Sequence, residues 1–179
     1  QEETCRYMLA DEVGMGKTIE AASILKVYFS RHSDVDALII APGSLIEQWK
    51  MELFLKFDLY EGENEHNNYI KFAELERASA YECNQDWDFT IVDEAHRLLI
   101  YREYYEAFHR LSKNTENLLL LSATPVQQKR ADYLDLLRLI LPDKYDSCTK
   151  EDFDELVEKQ GNITKAAAMV LANIEDLDE

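Results

Sequence analysis

Four short apolar runs, Arg6 to Ala10, Asp36 to Ala41, Trp87 to Val92 and Leu118 to Leu121, are each too brief for a helix and are closed by a turn or a polar motif. Between them lie stretches with apolar residues at helical spacing, and this alternation constrains the fold more than any other feature. From about Thr18 the residues Ile19, Ala22, Leu25 and Phe29 mark one helical face. Ser44 with Glu47 three residues later reads as a capping box for a second helix, whose face is Ile46, Trp49, Leu53 and Phe57. Trp49 is expected in the core. Glu61 to Asn68 is polar and turn-like, Tyr69 to Phe72 is an extended candidate, Ala73 to Tyr81 reads as helical, and Tyr101 to Leu111 as a further helix. From Ala131 the pattern is helical again, with Tyr133, Leu137, Ile140 and Leu141 on one face and Pro142 as its stop. Strands alternating with helices imply right-handed crossovers and a three-layer α/β fold around a mostly parallel sheet, with ligands at the carboxyl ends of the strands.

The chain of 179 residues is long enough for one domain with a proper core. Residues 1–142 carry the α/β pattern. Residues 143–179 hold 11 acidic and 4 basic side chains, with Thr149 and Thr164 as helix starts, and read as an acidic helical extension. No apolar run approaches the roughly 20 residues of a membrane helix. Cys5, Cys83 and Cys148 form no C-x-x-C pair, so neither a disulfide framework nor a zinc site is expected. The expected setting is cytoplasmic, and nucleoid-associated in a bacterium.

Chemistry concentrates where the strands end. Asp11, Glu12, Val13, Gly14, Met15, Gly16, Lys17 and Thr18 lie between the first strand and the first helix. Glycines at 14 and 16 let backbone N–H groups face an anion, the helix amino end adds positive potential, and the lysine and hydroxyl are suited to the phosphates and to Mg²⁺. The strict phosphate-loop pattern has glycine where this chain has Asp11. Asp93-Glu94-Ala95-His96 follows the strand ending at Val92, where carboxylates can hold a metal shell and orient water. In isolation such a pair also serves as a helix-dipole cap. Ser122-Ala123-Thr124 closes the next strand and could by itself be an ordinary turn. All of these in this order point to a nucleotide-binding enzyme.

Taken together, Leu9 to Ala21 (LADEVGMGKTIEA), Ala41 to Trp49 (APGSLIEQW), Ile91 to Leu98 (IVDEAHRL) and Leu121 to Pro125 (LSATP) resemble the first motor lobe of superfamily 2 helicase-like ATPases of the Swi/Snf type, which are double-stranded DNA translocases. Leu137 to Tyr145 (LRLILPDKY) is similar to the bacterial branch typified by the RNA-polymerase-associated translocase. The resemblance implies a RecA-like P-loop lobe that uses ATP and Mg²⁺. Lys17 and Thr18 would bind phosphate and metal, and Asp93 and Glu94 would be the metal-shell and water-activating carboxylates. His96 would couple them to Ser122, Ala123 and Thr124, and Pro42 and Ser44 would touch a DNA backbone. Implied partners are double-stranded DNA, a second RecA-like lobe with its arginine fingers, and a protein such as RNA polymerase; no membrane is implied. Two other functions share these motifs, a strand-separating helicase and a nucleotide-gated protein-interaction module. The net charge of −17 argues against broad nucleic-acid affinity. A basic stripe near Ser44 and Lys71, with Arg77, Lys129 and Arg130 as further candidates, would favour the translocase, whereas unbroken acidity there would favour the module.

Overall fold

The computed structural model describes residues 4–10, 16–77, 85–100, 102–122 and 130–159. Its strands are β1 (Arg6–Leu9), β2 (Asp36–Ala41), β3 (Gly62–Glu63), β4 (Tyr69–Glu74), β5 (Trp87–Val92) and β6 (Thr115–Leu121), and its helices are α1 (Lys17–Phe29), α2 (Gly43–Phe57), α3 (Arg102–Lys113), α4 (Arg130–Ile140), α5 (Pro142–Tyr145) and α6 (150–159). Among the described residues one sheet forms in the order β1-β6-β5-β2-β4-β3. Every pairing is parallel except that of β3 with β4.

Both sheet faces are covered, which explains the unbroken apolar runs. Ile39, Ile91, Leu119 and Leu121 point to one face, where Ala22, Leu25 and Phe29 of α1 and Trp49 and Leu53 of α2 pack. Their chain neighbours Leu38, Ile40, Leu118 and Leu120 point to the other, against Phe108 and Leu111 of α3 and Leu136, Leu139 and Ile140 of α4. Each such buried side chain contributes about 1.5–3 kcal/mol of transfer free energy.

Several expectations are corrected. Gly62–Glu63 is a short antiparallel edge strand inside the segment read as a polar turn. Ala73 and Glu74 continue β4, because the register with β2 extends to the pair Ala41 and Glu74. Residues 75–77 are a turn, and the remainder of the helix expected to Tyr81 lies outside the described residues. The Ser44 capping box does not form: α2 starts at Gly43 behind Pro42 without a side-chain cap. The Gly43 N–H instead donates to Glu76 Oε2 at 3.2 Å, so the acceptor comes from the turn after β4. On α4 the buried residues are Leu134, Leu136, Leu139 and Ile140, whereas Leu141 is exposed. Tyr133 packs on Phe153 of α6, with ring centroids 6.0 Å apart, and not on the sheet.

Thr149 does begin a helix: its Oγ1 accepts the Asp152 N–H at 3.1 Å, and Asp152 Oδ2 accepts the Thr149 N–H at 3.1 Å. The Thr149 hydroxyl, donating to Asp152 Oδ2 at 2.7 Å, and the Thr149 N–H together hold the Asp152 carboxyl below the usual carboxylate range. Arg138 binds the carbonyls of Tyr145 at 3.2 Å and Cys148 at 2.7 Å, fastening this region to α4. Thr164 lies outside the described residues.

Candidate active site

The parallel topology brings the carboxyl ends of β1, β6, β5 and β2 to one edge. Leu9 pairs with Leu121, Leu120 with Val92, and Val92 with Ile40. The residues just beyond these pairs therefore converge. Ser122 donates its N–H to the Leu9 carbonyl at 3.0 Å, and Asp93 donates to the Ile40 carbonyl at 2.7 Å, so the motif residues are pinned to the last rung of the sheet.

From β1 the chain passes through Ala10 to Gly16. The intervening Asp11, Glu12, Val13, Gly14 and Met15 lie outside the described residues. Gly16 has φ +89°, the left-handed conformation that glycine adopts without penalty, and a methyl group built on it would meet nothing within 4 Å among the described residues. Lys17 and Thr18 occupy the first turn of α1, whose orphan N–H groups and dipole favour an anion.

Asp93 is almost fully buried, at 8% exposure. Its Oδ2 accepts the Trp49 indole N–H at 2.9 Å and its Oδ1 accepts the Glu94 N–H at 2.8 Å, so the carboxylate has one orientation. Glu94 has φ 51°, a left-handed conformation that costs a non-glycine residue about 1–2 kcal/mol and that starts the 3-10 turn Ala95–Leu99. Its Oε2 is buried without a hydrogen bond among the described residues, although His96 Nδ1 lies 3.2 Å away. The same ring nitrogen is 3.4 Å from Ser122 Oγ, so Glu94, His96 and Ser122 form a chain of polar contacts from β5 to β6. Ala123 and Thr124 lie outside the described residues.

The Glu94 oxygen without a hydrogen bond among the described residues, the fixed Asp93 carboxylate and the Thr18 hydroxyl in the first turn of α1 are hard oxygen donors, the type Mg²⁺ takes. Among the described residues no group of three His, Cys, Asp or Glu side chains is placed to hold a metal unaided. The oxygen donors present are of the type that fits a Mg²⁺-nucleotide.

Pro42 is buried and Ser44 exposed at the start of α2. The charges beside them are mixed: Arg97 Nη2 lies 2.8 Å from Glu76 Oε1, and Arg77 Nε lies 3.1 Å from Glu74 Oε2. Lys71 is not among them. It lines a hollow with Asp36 and Trp87, the first residues of β2 and β5, toward the opposite edge of the sheet. Lys129 lies outside the described residues and Arg130 opens α4. Neither the basic stripe nor unbroken acidity is found around Ser44 among the described residues.

The sequence matches the SNF2-related domain over residues 1–70 and 68–175. The chain belongs to the SNF2-related family. A curated relative, the RNA polymerase-associated protein RapA of Klebsiella pneumoniae (strain 342), is 33% identical over 195 aligned residues, covering 93% of this chain and 20% of the relative. This SNF2-related chain thus spans one fifth of that relative's length. Its fold is similar to that of the Sulfolobus solfataricus SWI2/SNF2 ATPase core solved in complex with dsDNA, with a TM-score of 0.64 at 18% identity over 83% of this chain and 33% of that one. It is also similar to the Pyrococcus furiosus Hef helicase domain, with a TM-score of 0.58 at 19% identity over 78% of this chain and 33% of that one. The RecA-like core expected from the motifs is the observed SNF2-related fold. Among the described residues no helix is long and apolar enough to cross a membrane.

Two features had no sequence signal. Arg6, at the start of β1, gathers carbonyls from three elements, and Trp49, expected in the core, also reaches the Asp93 carboxylate.

Proposed function

We propose that this chain is the ATP-binding half of a motor that couples ATP hydrolysis to movement along double-stranded DNA. Residues 1–142 would be the nucleotide-binding lobe, and 143–179 an acidic extension leading toward a second RecA-like lobe. The observation that carries this reading is the convergence, at one edge of the sheet in an SNF2-related domain, of the α1 amino end, a doubly bonded Asp93 and a buried Glu94 oxygen that has no hydrogen bond among the described residues.

Asp11 to Thr18 are the phosphate-binding segment of this reading, in which Lys17 neutralises the phosphate charge. Thr18 and Asp93 would hold Mg²⁺, which when bound would screen the phosphate charge. Glu94, whose buried Oε2 has no hydrogen bond among the described residues and lies 3.2 Å from His96 Nδ1, orients the attacking water and accepts its proton. His96 relays the state of Glu94 to Ser122, and through it to Ala123 and Thr124. The Pro42 to Ser44 turn contacts a DNA phosphate; the Ser44 hydroxyl is exposed and serves no helix cap. RNA polymerase, a partner in keeping with the name of the curated relative, and a nucleoid-associated location follow from the same reading.

Nucleotide binding tests the assignment. Lys17→Ala abolishes it, whereas Glu94→Gln leaves it intact and stops turnover. Unimpaired turnover in either variant overturns the reading.

A further inference from the structure

We infer that Trp49 is a positioning residue for the Asp93 carboxylate, so that α2 sets how well this site holds its divalent cation; the inference rests on the nucleotide reading of the site. Trp49 is 1% exposed and packs among Leu53, Phe72 and Ile91 on the α1/α2 face of the sheet. Packing alone would be served by any large apolar residue. The indole N–H, however, is aimed at Asp93 Oδ2 at 2.9 Å, and an acceptor bearing charge makes that bond strong. With Oδ1 committed to the Glu94 N–H, the indole is the side-chain contact that fixes the second oxygen. A carboxylate held at both oxygens loses little rotational freedom when it takes a cation, and the partners behind metal ligands typically account for 10–100-fold in metal affinity.

A second and separate connection runs between the same elements. Glu76 accepts the Gly43 N–H at the first turn of α2, and its other oxygen lies 2.8 Å from Arg97 in the 3-10 turn that follows Glu94. The helix is therefore tied to the Asp93 and Glu94 segment at two points, through Trp49 to Asp93 and through Glu76 to Arg97. Gly43 and Trp49 are separated by six residues of one continuous helix, about 9 Å at its rise per residue.

The test compares wild type, Trp49→Phe and Lys17→Ala in the full-length protein, with Mn²⁺ as the spectroscopic stand-in for Mg²⁺. Phenylalanine keeps an aromatic ring in the core and removes the N–H. Mn²⁺ affinity in the presence of ADP is read by electron paramagnetic resonance, and metal-free ADP affinity by calorimetry. In Trp49→Phe, Mn²⁺ binds about tenfold more weakly while metal-free ADP binding is unchanged. In ¹⁵N-tryptophan-labelled wild type, the indole signal that disappears in Trp49→Phe shifts on adding Mg²⁺ to the ADP complex. A purely structural role would lower the melting temperature and leave Mn²⁺ affinity alone. Mn²⁺ affinity within twofold of wild type, or an indole signal indifferent to Mg²⁺, overturns the inference while leaving the nucleotide reading standing, provided ADP binding depends on Lys17. ADP binding undiminished by Lys17→Ala overturns both.

Discussion

Arg6 holds three elements together from the first strand, and removing it is the sharpest structural perturbation available. Its Nε donates to the Ile140 carbonyl at 2.6 Å, Nη1 to Thr115 at 2.5 Å, and Nη2 to the Ser112 carbonyl at 2.9 Å, Ser112 Oγ at 3.0 Å and the Leu139 carbonyl at 3.1 Å. Burial lowers the guanidinium pKa and the nearby Asp143 charge partly restores it, but arginine stays a cation at any pH at which proteins fold. The acceptors lie at the carboxyl ends of α3 and α4 and the start of β6, so Arg6→Ala removes a charge that complements two helix dipoles and strands several carbonyls. Each buried acceptor left unsatisfied costs about 1–3 kcal/mol. The adjoining hollow, about 530 Å³, admits water that replaces part of the loss. The expected net cost is about 2–4 kcal/mol, or a melting temperature lower by roughly 4–16 °C for a chain of this size. Arg6→Lys keeps the charge, but one ammonium cannot span acceptors on three elements, and it should lose about half as much. Urea and thermal unfolding followed by circular dichroism measure both. A loss under about 0.5 kcal/mol in Arg6→Ala, or a lysine variant as stable as wild type, refutes the reasoning.

Further predictions follow from other buried contacts. Asn68 is fully buried, accepts the Val35 N–H at 3.0 Å and donates to the carbonyls of Phe29 at 3.2 Å and His32 at 3.1 Å, so Asn68→Ala should cost about 2–3 kcal/mol in the same unfolding assay. For Asp146, burial raises the carboxyl pKa but hydrogen bonds from Lys113 and His109, each at 2.7 Å, outweigh it and hold the pKa below the usual range. A lowered folded-state pKa contributes stability above the unfolded value of about 3.9, and this is lost as pH falls through the folded value. Asp146→Asn should therefore flatten the stability profile below about pH 4, as read by melting temperature against pH. Gly16→Ala makes no contact within 4 Å among the described residues, so the left-handed backbone sets the expected cost: stability should fall by about 1–2 kcal/mol and nucleotide affinity with it, as measured by calorimetry.

Legibility in the sequence tracked burial. β2 and β5 were readable to the residue because both faces of the central strands are covered, leaving an apolar run with sharp polar ends at Asp36 and Asp93. β3 was not, since a two-residue edge strand carries no pattern. The start of α2 misled because Ser44 and Glu47 satisfy a local rule, whereas the Gly43 N–H finds its acceptor on Glu76, distant in sequence. On α4, leucines at 134, 136, 137 and 139 suit more than one helical face, and the choice is made by packing under β6 and by α6 covering Tyr133. The candidate site was legible wherever a motif ends a strand, as with Asp93, Glu94, His96 and Ser122. The Trp49 contact to Asp93 was not, because local spacing places the ring in the core without saying where its N–H points.

ATP hydrolysis in the longest native form of the protein, with double-stranded DNA, single-stranded DNA, RNA or no nucleic acid, beside a Lys17→Ala control, decides whether this is a duplex-DNA motor. Strong stimulation by duplex that vanishes in Lys17→Ala is expected. Preference for a single strand or RNA, or nucleotide binding with no stimulation by any nucleic acid, would contradict it and point respectively to a strand-separating helicase or a nucleotide-gated interaction module.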